Sequence, residues 1–305
     1  MGWFSRLFSR GQENVPTKAR APSGVAAGHD APPAAATATK SGAPPQDAAV
    51  FLPWLTATQA LVDTALSPKE QALLATLNAL LRQPSLPEAL LPRAAQLIPR
   101  LVALMREHEL PVFMVAKKIS RDPVLMAEVL HLANSPNYRA GEPIDRLEDA
   151  IAQIGHNGLN CCIAKVLFKP IVRDSASLLT AGLAQRLWDR ADQLAERGAS
   201  LAQHQHQRTL DGYLVGLLST TGWNVALAAW RKAGLALPLA PSKAFASAAD
   251  AATLRLFGHA AKAWDITEGF MAFSQDLYAH GLQQTHHPLA TVLRQARHAT
   301  ETGVH

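Results

Sequence analysis

Twice in this chain a residue suited to cap a helix stands directly before a proline and an apolar stripe at helical spacing, as Ser67-Pro68 and as Asp122-Pro123. A capping side chain accepts from the first free backbone N–H groups, and proline fits the first helical turn, where an N–H would find no partner anyway. After Ser67-Pro68, Glu70 stands where a capping box needs it, and Leu73, Leu77, Leu80 and Leu81 continue the stripe. After Asp122-Pro123 the stripe runs through Leu125, Val129, Leu130 and Leu132 until Asn134-Ser135-Pro136, whose side chains favour a turn. A chain punctuated this way folds into many helices joined by short loops. Composition agrees: aromatics are 6% and charged residues 17%, while Ala and Leu dominate long stretches, which favours helix packing over sheets. The expected fold is all-α.

The chain has 305 residues, enough for a large buried core. Residues 15–49 are rich in Ala, Pro, Thr, Ser and Gly, with prolines at 16, 22, 32, 33, 44 and 45. So little apolar surface cannot offset chain entropy, and residues 1–49 are expected to form a disordered tail ahead of a helical domain spanning 50–305. The tail opens with Trp3, Phe4, Leu7 and Phe8 on one helical face and Arg6 and Arg10 beside it. That start is too short to span a bilayer, and its arginines interrupt a secretory core. Weak peripheral contact with a membrane surface, contact with a partner, or no structure in the free protein are its readings. Net charge is +5, spread along the chain, which by itself indicates no specific nucleic acid. Cys161 and Cys162 are adjacent and cannot build a disulfide framework, so a reducing cytoplasm is the simplest compartment.

Further helices are expected from Asp145 to a left-handed cap at Gly155, then on to Pro170. Others follow over 177–207, loosened near its end by Gly198, and over 211–233, interrupted at Gly222. After a loop at 235–241, helices are expected over 251–264, 267–280 and 288–302.

Three blocks in order carry a resemblance. Ile119 to Leu125 includes Asp122-Pro123; Val129 to Ser135 reads Val-Leu-His-Leu-Ala-Asn-Ser; and Leu147 to Gly155 carries Ala150 and Ile151. Together they resemble the HDOD (HD-related output domain) family, with the motif core at 109–169 and a degenerate HD-like half at 176–281. The residues also have a purely structural reading: Asp122, Pro123, Asn134, Ser135, Ala150 and Gly155 are caps, turn formers or close-packing positions. A ligand contact at His131 or Asn134 is the alternative for that segment.

The resemblance implies kinship with metal-dependent HD phosphohydrolases, in which His and Asp side chains converge on a divalent metal that activates water. Where those relatives carry the His-Asp pair, this chain has Ser219 and Thr220; where an upstream His follows Trp, it has Arg190. A guanidinium offers no lone pair to a metal. No metal, no cofactor and no hydrolysis are therefore expected. The leading reading is a non-catalytic signal-transduction or scaffold module acting on a protein partner in trans, as the family's bacterial signalling role implies. Its alternatives are a divergent metal-dependent phosphohydrolase and a nucleotide or small-ligand sensor using the vestigial pocket of Arg190, Ser219 and Thr220. Arg190 also has the plainer reading of a helix-surface charge.

Other side chains add little. His204 and His206, His259 and His280, and His286 and His287 lack metal-ligand spacing and read as solvated or singly hydrogen-bonded imidazoles. Lys165, one turn from Cys161, would lower its pKa if both were exposed, which would suit a redox sensor. Neither a G-x-x-x-x-G-K phosphate loop nor a G-x-S-x-G elbow occurs.

Overall fold

The computed structural model describes residues 48–56, 61–91, 112–136, 138–139, 141–174, 181–262, 264 and 266–298. Eleven α-helices lie among them. They are α1 (Ala48–Thr56), α2 (Pro68–Leu81), α3 (Val112–Ile119), α4 (Pro123–Ala133), α5 (Leu147–Asp174), α6 (Ala181–His204), α7 (Thr209–Leu218), α8 (Thr221–Lys232), α9 (Lys243–Ala261), α10 (Glu268–His280) and α11 (Pro288–His298). A 3-10 turn, Glu88–Leu90, follows α2. No strand occurs among the described residues; one isolated bridge pairs Val62 with Ser242. The fold is all-α. The tail with Trp3, Phe4, Leu7 and Phe8 lies outside the described residues.

Local chemistry sets the helix starts. Ser67 and Glu70 form the capping box, with Ser67 N donating to Glu70 Oε2 at 2.8 Å. The second carboxylate oxygen reaches further and accepts from Ser242 N at 2.6 Å. One glutamate thus ties the start of α2 to the start of α9. Asp122 Oδ1 accepts from Val124 N and Leu125 N, each at 3.0 Å, with Pro123 in the first turn. Asn134 ends α4 and clamps the following loop: its Nδ2 donates to Leu130 O and Ile144 O, and its Oδ1 accepts from Ile144 N at 2.8 Å.

Several boundaries differ from the sequence expectation. α9 starts at Lys243, eight residues before the expected 251, because Ser242 caps it by accepting from Phe245 N at 3.0 Å. α5 continues past Pro170 to Asp174 and leaves helical geometry at Gly155, with φ 62° and ψ −171°. A β-carbon would strain that conformation, so the glycine turns the run without ending it. The break expected at Gly222 lies instead at Ser219 and Thr220, between α7 and α8.

The glycines of the second half admit close helix contact. A β-carbon on Gly198 would stand 2.3 Å from the Gly212 carbonyl oxygen, and one on Gly216 would stand 2.2 Å from the Leu194 carbonyl oxygen. Gly198 therefore seats α7 on α6 and does not loosen the helix end. Gly222, in the first turn of α8, lies just as close to α9 through the Thr253 carbonyl. Every residue of α7 is buried, as are the first ten of α8. These two helices form the centre, covered by α5, α6 and α11 on the α7 side and by α2 and α9 on the α8 side. Aromatic rings fill the far end: Phe51 packs on Trp223, Trp223 on Trp230 and Trp230 on Phe245, with centroids 5.6, 6.4 and 6.1 Å apart. The Trp230 indole N–H finds Leu73 O at 2.9 Å, so its burial leaves no donor unmade.

Candidate functional site

Two regions bring chemistry-bearing side chains together. The first is the level of the bundle that holds Arg190, Ser219 and Thr220. Gly198 meets Gly212, and Leu194 meets Gly216, so α6 and α7 run antiparallel in a fixed register. One turn further along, that register sets Arg190 level with Ser219 and Thr220. The surface-charge reading of Arg190 fails here: the residue is 2% exposed, and its guanidinium lies 5.0 Å from the centre of the Phe51 ring. Burial pushes it down from 12.5 to about 9; Arg297 and Arg197 add repulsion, and Asp250 opposes it by attraction. At neutral pH it remains a cation. Asp250, on α9, pairs with Arg297 of α11 at 2.5 Å. Ser219 Oγ donates to Gly216 O at 2.8 Å, whereas the Thr220 hydroxyl is buried with no hydrogen-bond partner.

A divalent metal does not fit this set. Arg190 and two neutral hydroxyls supply no strong donor, and a buried guanidinium repels a cation. Among the described residues no group of three or more His, Cys, Asp or Glu side chains converges on a metal position. Several of the described histidines have partners of their own. His259 is 2% exposed, stacks on Tyr278 at 4.5 Å and donates through Nε2 to Gln83 O at 2.8 Å. His280 Nδ1 pairs with Asp276, and His204 Nδ1 bonds to Ser200 O.

The second region surrounds the turn that follows Asn134. A cleft of about 500 Å³ opens between Ser135, Pro136 and Tyr138 of that turn, Cys161 of α5, the stretch from Glu196 to His204 on α6, and Thr209 and Tyr213 of α7. His131, on α4, is exposed and acts electrostatically on Glu196. Beneath the cleft, Lys165 is 8% exposed and binds Glu128 and Asp192 at 2.9 Å each, with Glu196 at 3.7 Å. Burial acts to lower the lysine, but Asp192 and Glu128 outweigh it and hold Lys165 above the usual range. The sequence presents Lys165 as a cysteine's neighbour; its carboxylate partners come from other helices, which no local spacing reveals.

The redox-sensor reading of Cys161 is corrected by the same geometry. Cys161 is 4% exposed, and burial pushes its thiol up from 9.0 to about 12, so it is protonated at neutral pH. Tyr138 is likewise raised to about 12, by burial and by the two cysteines. Groups raised on folding stabilise the fold fully below their unfolded values and lose that contribution as pH climbs through the folded ones. Stability is therefore expected to fall between about pH 9 and pH 12 as the unfolded chain releases protons the fold retains. Urea midpoints taken at steps across that window, in wild type and Cys161→Ala, measure it; an equally steep fall in the variant removes Cys161 as a cause.

The fold is that of a helical bundle in which Arg190, Ser219 and Thr220 offer no set of metal donors. A family model described as the HDOD domain matches residues 91–259, and the chain belongs to the HDOD family. A crystal structure from Shewanella amazonensis SB2B, of a protein whose name proposes a metal-dependent phosphohydrolase, shares the fold. It is 17% identical, at TM-score 0.50, over 78% of this chain and 86% of that one. A second, an HDOD domain protein with unknown function from Geobacter sulfurreducens, is 18% identical over 75% of this chain and 78% of that one, at TM-score 0.44. No curated protein matches the chain. Among the described residues no helix is long and apolar enough to cross a membrane.

Proposed function

We propose that this chain is a non-catalytic signal-transduction or scaffold module that works through a protein partner in trans. The observation that carries the reading is the buried guanidinium of Arg190, level with Ser219 and Thr220, the positions to which the resemblance assigns the metal ligands of HD relatives. Losing a donor and gaining a fixed positive charge at one place removes both requirements for activating water there. The motif half supplies a surface suited to a partner. On α3, Val112, Phe113 and Met114 are 40%, 66% and 41% exposed, and Val124 at the start of α4 is 63% exposed. Large apolar side chains left in solvent favour association over solvation.

Elemental analysis of the purified protein, followed by a phosphoester panel with added manganese or magnesium, tests the first half of the proposal. Neither bound metal nor turnover is expected, and stoichiometric metal with turnover would overturn it. Affinity capture from the native cell extract with wild type and Phe113→Glu tests the second. A reproducible partner retained by wild type and lost from the variant is expected; identical captured proteins in the two samples would count against the α3 surface.

A further inference from the structure

A second cleft, of about 400 Å³, lies between α9, the loop 281–284 and α11, with Arg255, Arg294 and Arg297 in its wall. Arg294 and Arg297 stand one turn apart on α11 and so share a face. Arg255 comes from α9, and its stem runs past Gly281, where φ is 76° and a β-carbon would stand 3.7 Å from Arg255 Cδ.

All three arginines are half-buried, and a charge taken out of water is normally paired with an opposite one. Arg297 has such a partner, since its Nη2 meets Asp250 Oδ2. Arg294 donates to neutral oxygens: its Nη1 to Leu282 O at 2.7 Å and Thr285 O at 3.2 Å, its Nη2 to Thr291 Oγ1 at 3.0 Å. Arg255 makes one hydrogen bond among the described residues, from Nε to Tyr278 O at 3.1 Å. Both of its terminal nitrogens are left over, as are Nε and Nη1 of Arg297. None of these nitrogens is buried without a partner, so all of them reach solvent. Asp250 is the one carboxylate in the wall; Asp276 is taken up by His280 and Thr285. With the histidines neutral, three guanidiniums face one carboxylate, a surplus of two positive charges.

Charge and shape select the ligand. A guanidinium fork matches the oxygens of a carboxylate or a phosphate. Forks arriving from two different helices, with two charges to neutralise, suit a tetrahedral dianion better than a flat monoanion. A metal cation would be repelled. We propose that this cleft binds a phosphate dianion, free or as the head group of a small phosphomonoester, held by Arg255 and Arg297 with Arg294 adding charge. Arg190 is not in its wall, and neither is the exposed surface of α3, so its failure leaves the partner reading standing.

Calorimetric titration of the full chain at about pH 7.5, where a phosphomonoester is a dianion, tests it. The probes are inorganic phosphate, glycerol phosphate and adenosine monophosphate, with adenosine and sodium acetate as controls. Saturable binding of at least one phosphate probe is expected, and none of either control. Arg255→Gln removes two unspent charged donors and is expected to weaken that binding about tenfold. Gln284→Glu alters an exposed loop side chain that makes no hydrogen bond among the described residues, and it brings a negative charge into the wall. It is expected to unfold at the wild-type midpoint and to lose about tenfold in affinity. Inorganic phosphate as tight as the esters assigns the site to the free ion, and tighter esters assign it to a phosphorylated small molecule. The proposal is overturned if no phosphate probe saturates, if adenosine or acetate binds as tightly, or if either variant keeps the wild-type affinity.

Discussion

Gly222→Ala is expected to lower the stability of the domain by about 3 kcal/mol, as severe overpacking does. An alanine β-carbon there would stand 1.7 Å from the Thr253 carbonyl oxygen and 2.6 Å from its carbon. Both are backbone atoms of α9, so no side-chain rotation relieves the clash; α8 and α9 must separate. That movement opens the interface where Trp230, at the other end of α8, packs on Phe245 of α9. Gly182, near the start of α6, is the control, since a β-carbon there meets nothing closer than Arg186 Nη1 at 3.9 Å. Gly182→Ala is expected to stabilise by about 0.5 kcal/mol through reduced freedom of the unfolded chain. Urea unfolding at neutral pH followed by far-ultraviolet circular dichroism measures both. Equal midpoints for Gly222→Ala and wild type would falsify the close approach of α8 and α9.

Lys165→Met is expected to cost about 3 kcal/mol at pH 7, the lower end of what breaking a buried ion pair costs. The lower end applies because Asp192 and Glu196 keep side-chain exposures of 27% and 48%, so water partly screens the carboxylates left behind. Methionine keeps most of the volume, so the loss reports charge more than a cavity. In the variant, Glu128, Asp192 and Glu196 repel one another, and their folded-state pKa values rise above the unfolded ones. Groups raised on folding favour the folded state at low pH, so the deficit is expected to shrink from pH 7 to pH 5. Denaturant midpoints of wild type and variant at the two pH values decide it, and a deficit that does not narrow would leave packing as the cause.

Both effects arise between helices far apart in the chain, and this divides what was legible in the sequence from what was not. Ser67 with Glu70 and Asp122 with Pro123 announced their helices because a cap acts within three residues of itself. The start of α9 was missed: Ser242 caps it as Ser67 caps α2, but the signal lies at the edge of a proline-containing loop. Gly198 and Gly222 carried the opposite message to the one expected. In sequence a mid-helix glycine reads as a weak point, whereas in the fold both stand where another helix backbone touches. The substitutions at Arg190, Ser219 and Thr220 were visible as residue types, yet burial of the guanidinium was not, because an arginine's environment is made by its neighbours on other helices. The cleft was invisible for the same reason; Ser135, Cys161, Glu196 and Tyr213 come from a turn and three helices.

What the sequence determined by itself was the all-α class, the family through its three ordered motifs, and the caps that start and turn its helices. Those rest on interactions within one turn of the chain, on helical periodicity and on residue identity. Tertiary structure alone decided that Arg190 is buried, that Lys165 is the hub of three carboxylates and that Tyr213 meets an open cleft. Burial and pairing depend on which helix faces which, and that is settled by packing across the whole domain.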